Sequence, residues 1–247
     1  MSPLFRRRHR IPEGWAEIVA SDVWFWSRLN EVERSRIGAA VDHLVGYNRW
    51  EAADGFELTD DMRLIIAAQA GLLVLGLDLD WFAKVGPIIV HPTTVTRTGE
   101  HAGPAENVVT DAPVELLGEA DLHGPVVLAW DAVLEGGRHP ERGRNVVLHE
   151  MAHKLDMLDD LVDGTPIMGD PEKRNRWIEV CTAEFNRLRA RPDALLDDYA
   201  ATDVGEFFAV ATEVFFTRPV ELRVAKPDLY EAYAAFYRQD PAARAER

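Results

Sequence analysis

The chain has 247 residues, of which 47% are hydrophobic and 28% are charged, so it is neither a disordered nor a fibrous protein. Its 42 acidic residues outnumber 27 lysines and arginines, and the net charge of −15 argues against nucleic acids or anionic membranes as partners. A single cysteine excludes an intramolecular disulfide and a cysteine-based zinc site.

The first part of the chain is predicted to be helical. Residues 11–54 carry apolar side chains at helical spacing, after a basic N-terminal segment that we expect to be a flexible tail over residues 1–10. Thr59 or Asp60 is a candidate N-cap for a second helical segment, which extends to about Leu77.

Two short segments have the composition of strands. Residues 85–91 and 125–130 are rich in β-branched or apolar residues and are bounded by glycine or proline. We expect the second strand to form the edge along which an extended peptide lies. Between them, residues 93–113 are rich in Thr, Gly and Pro, and they are expected to form a loop with at most one short strand.

The second half of the chain is again helical in pattern. The glycine-rich stretch of residues 135–143 leads into the next predicted helix, and residues 159–170 are typical of a polar loop. Helices are predicted over the remaining segments, at residues 145–158, 171–190, 204–217 and 229–237. Because helices dominate and strands are few, the sequence predicts an α+β fold, with residues 11–247 in a single domain. No segment has the features of a signal peptide or membrane span, so a cytoplasmic location is expected.

The predicted helix 145–158 contains an H-E-x-x-H sequence, formed by His149, Glu150 and His153. Two histidines four positions apart lie one helical turn apart, so that both imidazoles can bind the same metal ion. A glutamate beside them can serve as the general base of a zinc metallopeptidase. The pattern therefore predicts one zinc ion per chain, a peptide or protein substrate and hydrolysis by activated water.

A catalytic zinc site needs a third protein ligand. No histidine follows His153, so the ligand is either a carboxylate or an upstream histidine among His43, His91, His101, His123 and His139. The apolar segment 204–217 offers Glu206 and Glu213, seven residues apart. Glu206 also fits a capping box with Asp203, and Glu213 also fits a role as hydrogen-bond acceptor for a histidine, so spacing leaves both open.

Two further residues have alternative interpretations. Tyr199, seven residues before Glu206, could donate a hydrogen bond to an oxyanion or could simply pack against its neighbours. Asp156, three residues after His153, could accept a hydrogen bond from a ligand imidazole or could be a solvated residue at the helix end.

Three separated blocks resemble one family, the Mlc titration factor A family of zinc metallopeptidases. They are HEMAHKLDMLD at 149–159, YAATDVGEFFAVATEVFF at 199–216 and AFYRQDP at 235–241, and the resemblance spans about residues 10–241. The catalytic pattern is also similar to that of the anthrax lethal factor metalloprotease. The resemblance implies a zincin-like fold, mostly helical with a small mixed sheet.

The resemblance also implies roles for individual residues. His149 and His153 match the zinc histidines, Glu150 the general base, Glu206 the third ligand and Tyr199 the tyrosine that stabilises the transition state. It implies an aminopeptidase-type activity. It also offers an alternative function, a regulatory protein that sequesters a transcriptional repressor and in which zinc is partly structural. The glutamate at position 150 favours the enzyme, because a purely structural zinc site needs no base.

Overall fold

The computed structural model describes residues 11–53, 55–93, 95–97, 101–102, 109–110, 114–116, 118–120 and 124–246, with side chains described outside residues 94–123. The predicted tail 1–10 lies outside these residues. The described helices are α1 Trp15–Asp22, α2 Glu31–Tyr47, α3 Asp60–Leu73, α4 Trp130–Arg138, α5 Val146–Asp156, α6 Pro171–Ala190, α7 Val204–Thr217, α8 Pro219–Ala225, α9 Pro227–Tyr237 and α10 Pro241–Ala245. The described strands are β1 Trp50–Ala52, β2 Ile88–His91, β3 Val95–Arg97, β4 His101–Ala102, β5 Val109–Thr110, β6 Val114–Leu116, β7 Gly118–Ala120 and β8 Val126–Ala129.

Four strands form one small mixed sheet in the order β1-β2-β8-β7. Strands β1, β2 and β8 are parallel, with Ile88 opposite Val126, whereas β7 runs antiparallel to β8. Two antiparallel pairs, β3–β6 and β4–β5, lie outside this sheet. The predicted fold class, α+β and mostly helical with a small mixed sheet, is confirmed.

The expectation that the strand around residues 125–130 forms an edge is wrong. Strand β8 is paired on both sides, with β2 and with β7, so its backbone groups are already used by the sheet. The outer neighbour of β8 among the described strands is β7. Strand β7 has only three residues and none of them is β-branched, so the sequence did not predict it as a strand.

Side-chain caps fix the start of the two helices that carry the candidate site. The Asn145 side chain accepts a hydrogen bond from the backbone N–H of Leu148 at the start of α5. The Asp203 side chain accepts from the N–H groups of Gly205 and Glu206 at the start of α7. Both helices lie in the core, where α5 contacts α3, α4, α7 and strands β7 and β8.

An aromatic cluster packs on α7. Its rings belong to α6, α7 and α9, with centroid separations of 4.7 Å for Trp177–Tyr233 and 5.8 Å for Phe215–Tyr237. Large buried rings contribute much of the burial that drives folding, and their edge and tilted contacts add to it. The cluster therefore fixes α7 between α5 and the C-terminal helices.

The first part of the glycine-rich stretch 135–143 is helical. Helix α4 extends to Arg138 and contains Gly136 and Gly137. A Cβ on Gly136 would lie 2.8 Å from the Asn145 backbone, and one on Gly137 would lie 2.5 Å from the Asp22 carbonyl oxygen. These glycines permit close helix packing, a reason that a sequence pattern alone does not distinguish from helix breaking.

Other element boundaries differ less. Helix α3 begins after the Thr59 cap as predicted but ends at Leu73 rather than near Leu77, and β2 begins at Ile88 rather than at residue 85. Helices α6 and α7 have the predicted bounds. In the described part of the chain, no helix combines the length and apolar character that a membrane span requires.

Candidate metal centre

Helix α5 brings the two motif histidines together on one face. Their rings lie 4.9 Å apart between centroids, and the Nε2 atoms of His149 and His153 lie 3.2 Å apart. Both side chains are largely buried, with exposed fractions of 14% and 10%. The predicted arrangement, in which two imidazoles one turn apart point to the same place, is present.

The third group comes from the first turn of α7. Glu206 Oε2 lies 3.1 Å from His149 Nε2 and 3.5 Å from His153 Nε2. No other group of three or more metal-binding side chains comes together in the described part of the chain. Because Asp203 already caps α7, the Glu206 carboxylate is free to face the histidines instead of completing a capping box.

The three facing atoms fit a tetrahedral metal. Ligand atoms bound at about 2.0–2.1 Å with tetrahedral angles are separated by about 3.3 Å, and the three separations here lie on either side of that value. Glu206 Oε2 is buried and accepts no hydrogen bond of normal geometry from the described residues. A buried carboxylate oxygen that faces two imidazole nitrogens in this way is the donor set expected for zinc.

Glu213 does not face the metal position. It lies next to the other ring nitrogen of His149, Nδ1. Its Oε1 lies 2.8 Å from His149 Nδ1, and its Oε2 accepts a hydrogen bond from the backbone N–H of Asn145. A proton on Nδ1 leaves the Nε2 lone pair directed towards the metal position. The structure therefore brings Glu206 against both Nε2 atoms, whereas Glu213 contacts only the opposite nitrogen of His149.

The electrostatics of the cluster follow from its burial. Burial alone would lower the pKa of His149, but Glu213 and Glu206 outweigh it and raise that pKa well above its usual value. Burial would likewise raise the pKa of Glu206, yet the two imidazoles hold it well below its usual range. Without a metal, positive charge on His149 therefore balances Glu206, and a metal ion would take over this role.

Glu150 is suited to exchange a proton near neutral pH. It is 4% exposed, and burial raises its pKa to about 7, although the adjacent imidazoles act in the opposite direction. A general base is most effective when its pKa lies near the working pH. The carboxyl group that the sequence motif places beside the two histidines thus has the acidity that such a role requires.

Comparison with known proteins identifies the family. Residues 4–238 match the family described as glucose-regulated metallo-peptidase M90. The chain belongs to this family. It is 30% identical over 243 residues to the uncharacterized protein slr2042 of Synechocystis, covering 96% of this chain and 87% of that protein. It is 29% identical over 244 residues to the protein named Mlc titration factor A in Salmonella agona, covering 92% and 91% of the two chains. The same values hold for the Salmonella schwarzengrund protein of that name.

In this member of the M90 family, Tyr199 lies at the solvent-exposed edge of the metal centre. Its hydroxyl donates to Glu206 Oε1 at 3.2 Å, and its ring centroid is 6.3 Å from that of His149. The side chain is 53% exposed, so it is not a packing residue of the core. Partial burial and the Glu206 carboxylate raise the pKa of Tyr199, which keeps the phenol protonated as a donor.

Gln69 and Asn145 also belong to the site, and the sequence did not predict this. Gln69 on α3 is fully buried, and its Oε1 accepts a hydrogen bond from Asn145 Nδ2 at 2.6 Å. Through Asn145, this bond connects α3 to the Glu213 carboxylate that holds His149. The signal available in the sequence was an amide inside an otherwise apolar helix, since a buried amide needs partners.

The upstream histidines whose side chains the structure describes do not join the centre. His43 packs against Tyr47 and Phe82, and His139 lies beside Glu141 at the surface. The described metal-binding group does not include His91, and the side chains of His101 and His123 lie outside the described residues. A carboxylate is therefore the third group of the cluster that the structure shows.

Proposed function

We propose that this protein is a zinc-dependent peptidase that uses His149, His153 and Glu206 as zinc ligands and Glu150 as general base. The observation that carries the proposal is the convergence of His149 Nε2, His153 Nε2 and Glu206 Oε2, with separations of 3.1–3.5 Å, beside a buried glutamate. Two histidines and a carboxylate leave one tetrahedral position open, which distinguishes a catalytic zinc site from a closed structural one.

The protein groups have separate tasks in this reaction. When bound, zinc supplies Lewis acidity, which polarises a carbonyl group and lowers the pKa of water to about 7. Glu150 takes a proton from the attacking water and returns it to the leaving amine. Glu213 holds His149 in the tautomer that directs Nε2 inward, as its 2.8 Å contact with Nδ1 supports.

Tyr199 is proposed to stabilise the oxyanion that forms at the scissile carbonyl. Its protonated hydroxyl rests on Glu206 Oε1 at 3.2 Å, and an exposed ring can turn towards a substrate. We expect Tyr199→Phe to retain zinc and to lower kcat by about 10²-fold, the loss typical of one oxyanion donor, with little change in KM. A loss of substrate binding at unchanged kcat would instead assign Tyr199 to binding.

The acid limb of the pH profile should report Glu150. The base acts as a carboxylate, so the active fraction falls as the pH drops through its pKa, which burial raises to about 7. A bound cation favours the carboxylate, so we expect kcat/KM to decline by about tenfold per pH unit from a point at or below pH 7. The measurement is kcat/KM between pH 8 and 5, with zinc content determined at each pH. A flat profile with full zinc occupancy would remove Glu150 from the rate-determining proton transfer.

Metal analysis combined with a peptide screen tests the function as a whole. The purified protein should contain one zinc per chain, cleave peptides, lose activity with a chelator and regain it with zinc. Comparing free with N-acetylated peptides tests the aminopeptidase type, because an aminopeptidase requires the free amine. A zinc-loaded protein that cleaves none of the peptides would contradict the proposal.

A second candidate function comes from the name of the Salmonella relatives, Mlc titration factor A. That name is consistent with the alternative raised from the sequence, a regulatory protein that binds a transcriptional repressor. The idea that zinc is partly structural belongs to this alternative and not to the name. The discriminating observation is the buried Glu150 with a pKa near 7, because repressor binding gives no reason to bury a carboxyl beside the histidines. We infer peptidase activity as the main function, in a cytoplasmic chain whose residues 11–247 form a single domain.

A further inference from the structure

The two ligand histidines differ in what their second nitrogen contacts. His149 Nδ1 lies 2.8 Å from Glu213 Oε1, whereas His153 Nδ1 is buried and has no hydrogen-bond partner among the described residues. A metal-binding imidazole nearly always donates its other N–H to an acceptor, which fixes the tautomer and the ring. A buried Nδ1–H without an acceptor carries a desolvation penalty, and this penalty would lower the affinity of the imidazole for the metal.

A buried acceptor without a donor lies one turn further along α5. Asp156 is the last residue of the helix and is 1% exposed, so it is not the solvated helix-end residue that the sequence allowed. Its Oδ2 accepts a hydrogen bond from the backbone N–H of Gly164 at 3.0 Å. Its Oδ1 is buried and has no partner among the described residues, so the carboxylate has one free acceptor.

Helix geometry directs this free acceptor towards His153. Residues three apart on a helix are neighbours on its surface, and a helical side chain lies over the turn that precedes its own Cα. Asp156 therefore lies on the face of α5 that carries His153. Burial raises the pKa of Asp156 to about 6, and His153 acts in the opposite direction, so the two groups are near enough to interact electrostatically. One donor and one acceptor, both without a partner among the described residues, thus lie on the same face of α5, one turn apart.

We propose that Asp156 is the positioning residue of His153, accepting a hydrogen bond from its Nδ1–H on Oδ1, directly or through one water molecule. The proposal rests on the function proposed above, because it assumes that His153 Nε2 binds zinc. Asp156 then does for His153 what Glu213 does for His149, and each ligand imidazole is held by its own carboxylate.

The second carboxylate oxygen of Asp156, Oδ2, connects the residue to the loop after α5 through its hydrogen bond with the Gly164 N–H. The Gly164 carbonyl accepts a hydrogen bond from Trp177 Nε1 on α6 at 2.9 Å. Gly164 adopts a left-handed conformation with φ +68°, and a Cβ there would lie 2.4 Å from the Val204 carbonyl oxygen. Asp156 therefore fixes His153 relative to α6 and to the first residue of α7, the helix that carries Glu206.

The substitution Asp156→Asn separates positioning from loop anchoring. The amide oxygen can still accept from the Gly164 N–H, but the group that then faces His153 is an NH₂, which donates and cannot accept. We expect zinc affinity, measured by competition with a chelator, to fall about 10 to 100-fold. The unfolding midpoint of the metal-free variant should stay close to that of the unchanged protein. Asp159→Asn, at an exposed carboxyl three residues further on, should change neither quantity and is the control.

A second measurement does not depend on a variant. In ¹⁵N NMR spectra of the zinc-loaded, unsubstituted protein, the Nδ1 of His153 should carry a hydrogen-bonded proton that is protected from exchange. Unchanged zinc affinity in Asp156→Asn, or a rapidly exchanging Nδ1 proton on His153, would overturn the inference and leave the zinc site intact. A protein that binds no zinc at all would overturn both this inference and the proposed function.

Discussion

Replacing Glu150 with glutamine is expected to leave the zinc in place and to lower peptide hydrolysis by about 10² to 10⁴-fold. The amide is nearly isosteric with the carboxyl, and the ligand atoms belong to other side chains. It cannot accept the proton of the attacking water, however, so the chemical step loses its base. The effect should fall on kcat, with KM little changed, because the lost interaction is made in the transition state.

The control for this variant is its metal content. Zinc per chain, measured after dialysis, should equal that of the unsubstituted protein. A zinc-loaded Glu150→Gln protein with unchanged turnover would mean that another group accepts the proton. A protein that had lost its zinc would show instead that Glu150 helps to hold the metal.

Replacing Glu206 with glutamine is expected to remove most of the zinc. The substitution exchanges an anionic ligand for a weak neutral one, in a site where Glu206 Oε2 faces both imidazoles at 3.1 and 3.5 Å. The fold should survive, because Asp203 caps α7 independently of the Glu206 side chain. Activity should therefore disappear together with the metal, while the helical circular dichroism signal remains.

Glu213→Gln is the matched control, since it makes the same chemical change seven residues further along α7. Glu213 contacts His149 Nδ1 and the Asn145 backbone, so we expect a loss of about 10 to 100-fold in metal affinity or activity rather than removal of the metal. A metal-free Glu213→Gln protein beside a zinc-loaded Glu206→Gln protein would exchange the two assignments. It would also remove the basis for the role of Tyr199, whose hydroxyl contacts Glu206.

Several helices could be predicted because their signals are local. Helix α6 begins at Pro171 after an Asp170 cap, and α7 begins after an Asp203 cap, and both have the predicted bounds. The H-E-x-x-H spacing likewise determines where His149 and His153 meet, because both lie on one helix. Helical periodicity is thus sufficient wherever the groups concerned share an element.

What depends on packing between elements was not visible in the sequence. The seven-residue spacing left Glu206 and Glu213 open. The packing of α7 against α5 distinguishes them, because it brings Glu206 to both Nε2 atoms and Glu213 to His149 Nδ1. The same applies to Gly136, which permits α4 to approach Asn145, and to β8, which gains β7 as a neighbour. The amide in the apolar helix α3 indicates that Gln69 needs hydrogen-bond partners, but no local pattern shows that its partner is Asn145.

Anomalous diffraction from crystals of the zinc-loaded protein, recorded on both sides of the zinc absorption edge, tests the central claim most directly. We expect one strong peak per chain, within about 2.0–2.2 Å of His149 Nε2, His153 Nε2 and a Glu206 oxygen, with Glu213 outside the coordination sphere. The absence of a peak between these three side chains, or a peak bound by Glu213 in place of Glu206, would contradict the account.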